Sequence, residues 1–277
     1  MSDTRSVAAH YTHGGLLDAI TTGVEKLGKT SDTVLVEDLG SVDEFHIGGR
    51  TATEGLLDQV GLGADDHVLD VGCGLGGASR LAAQEYGSRV TGIDLTHEYI
   101  EAGKVLCSWV GLEERVTLEQ GDATATRYPD GMFDKAFMLH VGMNISDKPA
   151  LALELHRILR PGGTLGIYDV MCVGNGEMTY PVPWAMSAEG SAIGSPSEYR
   201  AALEAAGFQV TAERNRRGFA LEFFARLQAN ASSAGGPPPL GLHILMGETA
   251  PTKVRNMIEN ISENRVAPFE LIAEKQA

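Results

Sequence analysis

Cysteine is scarce: Cys73, Cys107 and Cys172 are all the chain has. An odd, scattered set with no CxxC pair builds neither a disulfide framework nor a zinc site. Basic residues are also few, 22 Lys and Arg against 37 Asp and Glu, which leaves a formal charge of −15. No basic tract interrupts this surplus. Nucleic acid and anionic membranes are therefore not the expected partners. No apolar run reaches the length of a membrane span. The opening MSDTRSVAAHYTHGG lacks the charged-then-apolar pattern of an export signal. The cytoplasm is the expected location. Internal repeats are absent.

What is present suits an enzyme-sized globular chain. Its 277 residues suffice for one large domain with an appended cap. Apolar strands at 67–72, 89–94, 115–122, 133–140 and 164–171 alternate with helices at 77–87, 98–112 and 148–163. That alternation predicts a parallel sheet covered on both faces. Right-handed crossovers then give a doubly wound, Rossmann-like sheet. Helices are also expected at 14–28 and 50–61, ahead of the first strand. After the fifth strand come a helix at 195–208, with Ser195 or Ser197 as N-cap and Gly207 as stop, and a strand at 209–215. The last strand is expected at 269–275, which makes seven. Between the last two lie helical stretches near 219–231 and 251–264, flanking the loop-like ASSAGGPPPLG. The expected organisation is an N-terminal helical cap at 1–48, a core at 49–215, a cap insertion at 216–268 and a final core strand at 269–277.

The most informative segment is VLDVGCGLGG, residues 68–77. Glycines between a strand and a helix let the chain turn tightly and let a ligand touch the backbone. Asp94 ends the next strand, about twenty residues on, where an acid in dinucleotide folds holds a ribose diol. A nucleoside at the carboxyl edge of the sheet follows. A pyrophosphate-bearing dinucleotide wants GxGxxG. Here the stretch is GxGxGG, which meets that spacing with one glycine more, but Asp70 sits two residues ahead of the first glycine. An acid there opposes a pyrophosphate and suits a cationic or amino-bearing ligand. The third strand ends in GDA, where Asp122 can accept from an adenine amino group.

In order, VLDVGCGLGG, VTGIDLT, LEQGDAT, FDKAFMLHV and LRPGGTLGIYD resemble the successive motifs of class I S-adenosylmethionine-dependent methyltransferases. The likeness covers about 65–175. FHIGGRTATEGLLDQVGL, at 45–62, resembles the small-molecule group that includes sarcosine and dimethylglycine, phosphoethanolamine and quinone methyltransferases. The resemblance implies S-adenosylmethionine as cofactor. It also implies that Asp70, Gly72, Gly74 and Gly76 line the methionine moiety. Asp94 would take the ribose hydroxyls with Leu95 beside the adenine, Asp122 and Ala123 would contact the adenine, and Leu139 and His140 would lie near the sulfonium.

Methyl transfer asks the protein to align the acceptor, exclude water and sometimes remove a proton. His140 and Asp169 are the candidates for catalysis, and Asn144, Tyr168 and Trp184 for acceptor binding. Duller readings stand beside them: His140 as pocket wall, Asp169 as a turn cap, Trp184 as loop packing. His10, Tyr11 and His13 cluster in HYTH, which suggests metal or a pocket edge but reads first as a solvated N-terminal segment. Without a carboxylate cluster no metal is expected. The expected acceptor is a small molecule, an amine nitrogen first, then a phenolic or quinone-like oxygen or carbon. A non-catalytic cofactor-binding subunit and an NAD oxidoreductase stay as alternatives. A homodimer is compatible with everything above.

Overall fold

In the computed structural model, which describes residues 4–12, 14–233 and 238–276, one seven-stranded sheet organises the chain. Its strands are β1 (His67–Val71), β2 (Arg89–Asp94), β3 (Val116–Gln120), β4 (Phe133–Leu139), β5 (Leu159–Cys172), β6 (Phe208–Asn215) and β7 (Val266–Lys275). Their order is β3-β2-β1-β4-β5-β7-β6. β7 runs antiparallel to both neighbours, and the other pairs are parallel. The strand order reverses between β1 and β4. In open α/β sheets a crevice forms beyond the carboxyl ends at that point.

Burial on both faces explains the strand sequences. Every residue of β1 is buried, so Val68, Leu69 and Val71 pack on both faces of the sheet rather than alternating with exposed positions. α4 (Gly49–Val60), α5 (Gly77–Glu85), α6 (His97–Trp109), α7 (Lys148–Ile158) and α8 (Pro196–Ala206) cover the sheet. Capping chemistry sets their ends. Asp147 accepts from Ala150 N at 2.9 Å to start α7. Ser195 and Glu198 form a reciprocal box at the start of α8, and left-handed Gly207 stops it.

Several boundaries differ from expectation, and two of them reshape the sheet. α7 ends at Ile158, not 163, because Pro161 disfavours the helical conformation at the residue before it. Leu159 already pairs with Phe133; the register then shifts, and Thr164 resumes opposite Lys135. β7 starts at Val266, three residues early, and pairs with Cys172, which extends the fifth strand past the sheet centre.

The remaining helices cover the carboxyl edge. α1 (Thr4–Tyr11), α2 (Leu16–Lys26) and α3 (Val36–Asp43) precede the core; α9 (Arg217–Ser233), α10 (His243–Met246) and α11 (Ala250–Ser262) interrupt it before β7. Leu16, Ile20 and Val24 of α2 share a buried cluster with Leu39, Tyr99, Leu106 and Leu245. A fully buried ion pair fixes α3 to α5, with Asp43 Oδ1 2.6 Å from an Arg80 nitrogen. No described helix is long and apolar enough to cross a membrane.

Candidate active site

The crevice at the strand-order reversal is a cleft of about 1140 Å³, counted to its open mouth. β1 leads into it through the glycine loop. Asp70 ends in the cleft wall with its Oδ2 accepting from the Ser79 hydroxyl at 2.6 Å. Burial raises its carboxyl to about pH 7, against the pull of that hydrogen bond, and the nearby Asp94 adds to the rise. Gly72 lies against Val141, where a Cβ would collide. Gly74 takes φ +55°, and a Cβ there would meet only Tyr99, at 3.9 Å. The backbone at Gly74 is therefore open to the cleft, as a loop that touches a ligand must be.

β2 delivers Asp94. Its two oxygens accept from Gly74 N at 3.1 Å and Thr96 N at 2.8 Å. Two backbone donors thus fix the carboxylate and tie it to the glycine loop, and lone pairs remain on both oxygens. Leu95, Asp122, Ala123, Leu139 and Asn144 also line the cleft. Asp122 Oδ1 accepts from the amide and hydroxyl of Thr124. Gly76 does not line it; it begins α5, packed on Leu118.

A second chamber of about 700 Å³ adjoins the first, and Tyr11, Phe45, His46 and His140 line both. Its walls include Ile47 from the loop before α4, Met143 and Val170 from the β4 and β5 ends, Trp184 from the segment between β5 and α8, Phe224 of α9 and Met257 of α11. Trp184 donates to Ser191 Oγ at 2.9 Å, which orients its ring. Among the described residues lining either space there is no Lys or Arg, and the second chamber has no carboxylate.

His140 sits where the two meet, at φ 54°. Its amide donates to Tyr168 O at 2.7 Å. Its Nε2 is buried with no hydrogen-bond partner, as is Tyr99 Oη at the cleft wall. Burial pushes the imidazole well below its ordinary pKa, and His46 opposes a charge there as well. Both effects favour the neutral imidazole.

Two of the residues expected to meet an acceptor do not line either space. Asp169 is fully buried, its Oδ2 accepting from Tyr199 and its Oδ1 from Val170 N. Alternation along β5 turns it to the side of the sheet opposite Tyr168. Tyr168 is also fully buried, donates to Ile47 O at 3.0 Å and packs behind His46, edge-on, and His140, tilted, at ring distances of 6.4 and 5.1 Å. It is a wall behind the imidazoles. Conversely, within the HYTH segment Tyr11 stands at a pocket edge rather than in solvent. Tyr11 lines both chambers and donates to Asn144 Oδ1 at 3.3 Å, and His10 Nε2 lies 3.1 Å from Pro183 O. His13 lies outside the described residues. His46, which periodicity did not single out, also belongs to the site.

The comparisons with known proteins agree with this geometry. A family model described as a methyltransferase domain matches residues 68–163. Methyltransferase GfsG of Streptomyces halstedii is 32% identical over 137 residues, 50% of this chain and 49% of that protein. Phosphoethanolamine N-methyltransferase 1 of Zea mays is 32% identical over 169 residues, 61% and 33% of the two chains. The chain spans about half of the first and a third of the second. The solved [4+2]-cyclase SpnF has a TM-score of 0.67 at 20% identity, covering 95% of this chain and 96% of that one, a likeness of fold alone. The segment that the methyltransferase-domain model matches runs from β1 into β5 and carries the glycine loop, Asp94 and Asp122, within a sheet whose order is β3-β2-β1-β4-β5-β7-β6.

Proposed function

We propose that the protein binds S-adenosylmethionine in the cleft and transfers its methyl group to an uncharged, largely apolar acceptor held in the second chamber. The observation that carries the cofactor reading is the charge of the cleft. Asp70, Asp94 and Asp122 line it with no Lys or Arg among the described lining residues. A sulfonium and an ammonium suit that wall, whereas a pyrophosphate is repelled by it. The fit extends to single atoms. Tyr99 Oη and His140 Nε2 are buried in the wall without partners, and such groups are costly unless a ligand satisfies them. In this proposal Asp94 takes the ribose diol, Asp122 and Leu95 the adenine, and Asp70 and Gly74 the methionine end; all five residues line the cleft.

When bound, the cofactor supplies an electrophilic methyl group. The chain's share is to orient the acceptor at the His140 junction, keep water out and take up a proton where the acceptor has one to lose.

The second chamber favours a phenolic or quinone-like oxygen or carbon over an amine. An amine that arrives as its cation finds no carboxylate in the second chamber. A phosphate-bearing amine finds no Lys or Arg in either space. Apolar walls reward an apolar body by about 25 cal/mol per Å² buried. Calorimetry with S-adenosylhomocysteine and with NADH tests the cofactor half. The reading expects heat from the first alone, and heat from NADH alone would overturn it.

A further inference from the structure

His46 comes from the loop between α3 and α4, and its ring lies 5.9 Å from that of His140. The two imidazoles differ in what holds them. No described residue bonds a ring nitrogen of His140. His46 Nε2 has three neighbours: Thr53 Oγ1 at 2.9 Å, Gly49 O at 3.2 Å and Glu44 Oε2 at 3.3 Å. The Thr53 hydroxyl itself donates to Glu44 Oε2 at 2.9 Å. Its proton is therefore spent on the carboxylate, and Thr53 Oγ1 meets the ring with lone pairs. A carbonyl, a carboxylate and that hydroxyl oxygen all present lone pairs to one nitrogen. That nitrogen must carry the proton. The lone pair of the ring is then on Nδ1, which makes no hydrogen bond among the described residues. His46 lines both chambers.

We infer that His46 is the residue that receives the acceptor's hydroxyl, through Nδ1, with Glu44 and Thr53 as positioning residues that fix its tautomer and ring orientation. The inference rests on the methyl-transfer reading and deepens it. A base oriented by a carboxylate on its far nitrogen is the arrangement that general-base catalysis uses repeatedly; His140 lacks that support. As the acceptor oxygen takes the methyl group from sulfur, sulfur keeps the bonding pair. The acceptor O–H bond breaks and its proton binds Nδ1. The resulting imidazolium directs its Nε2–H at Glu44, which is buried beside it. An acceptor oxygen becomes strongly acidic as it is alkylated, so a weakly basic imidazole is sufficient.

The tautomer can be read without turnover. Protein carrying 15N-labelled histidine is studied by long-range proton–nitrogen correlation NMR. It is measured alone, with S-adenosylhomocysteine, and with S-adenosylhomocysteine plus 4-hexylphenol as an apolar hydroxyl probe. His46→Gln assigns the signals. The expected result is an Nε2–H tautomer for His46 and an upfield move of its Nδ1 resonance when the phenol is added. Glu44→Gln should mix the tautomers and shrink that move. In methyl transfer to the same phenol, His46→Gln should lower kcat about a hundredfold and leave the S-adenosylhomocysteine Kd within about twofold. An Nδ1–H tautomer in the wild type, or an Nδ1 signal indifferent to the phenol, would overturn the inference. Absent S-adenosylhomocysteine binding would instead sink the methyl-transfer reading, so the two failures are distinct.

Discussion

The hydroxyl of Tyr199 donates to Asp169 Oδ2 at 2.5 Å, and both side chains are buried in the sheet's core rather than at the cleft. Burial raises the Asp169 carboxyl to about 6, with the Tyr199 hydrogen bond pulling the other way. The pair also packs under Gly142, where a Cβ would lie 2.5 Å from Asp169 Oδ2. Its role is to seat the loop that follows His140. Tyr199→Phe strands a buried acceptor and should cost about 1–3 kcal/mol of stability. Turnover per folded molecule should change little. Urea unfolding combined with active-site titration checks both halves, and a large fall in turnover at unchanged stability would return Asp169 to the chemistry.

Asp94 holds Gly74 and Thr96 by their amides and faces the cleft. Asp94→Ala should weaken S-adenosylhomocysteine binding by roughly ten- to a hundredfold, the range of a lost hydrogen bond to a charged acceptor of about 1.5–3 kcal/mol. Calorimetry reads this directly. Unaltered affinity would move the ribose away from β2.

Folded His46 is held neutral, its pKa lowered to about 4 by burial against the opposing Gly49 hydrogen bond. The unfolded chain protonates it near 6.5. Between these values the unfolded state binds more protons, so stability falls as pH falls through the window. From pH 8 to pH 5 this residue alone should remove about 2 kcal/mol. Asp70, raised to about 7, works in the opposite sense, so the informative quantity is the difference between proteins. Urea titrations at both pH values should show a smaller acid loss for His46→Gln than for the wild type. Equal losses would mean that the folded state protonates His46 as readily as the unfolded chain does.

Leu227 is 45% exposed and lines the second chamber. Leu227→Glu should therefore fold normally. It places a carboxylate where none of the described lining residues has one. Apolar phenols should bind less tightly and cationic amines more tightly. Each change should be about 1 kcal/mol or less, up to about fivefold in KM. Affinity for S-adenosylhomocysteine should stay the same. A loss for amines and a gain for phenols would contradict the assignment of this chamber to an apolar acceptor.

The core was legible because its signals are local. β1, β2 and β4 are buried runs, and the glycines after β1 mark the turn whatever the rest of the chain does. Asp94 and Asp122 could be placed by counting from strand ends. The cap was harder. α3 has Val36, Leu39 and Val42 as its only buried positions, too short a pattern to separate from a loop. α1 has no buried residue in its span. The acid–base roles depended on face and on distant partners. Adjacent Tyr168 and Asp169 differ only in strand parity, and nothing local says that Tyr199, thirty residues on, occupies Asp169. His46 was hidden in the same way: its partner Thr53 lies on the first turns of α4, and the meeting is a product of the turn at Gly48 and Gly49.

In the proposed reaction a methyl group passes from the acidic cleft to an apolar acceptor across the His140 junction. The most direct measurement is incubation with S-adenosylmethionine labelled in its methyl group and two acceptor sets, apolar phenols and quinols against small aliphatic amines, with products resolved by mass. O- or C-methylated products should form from the first set, with a signal that falls in His46→Gln and Asp94→Ala. Methylated amines with the phenols and quinols untouched, or no transfer to either set from protein that binds S-adenosylhomocysteine, would contradict it.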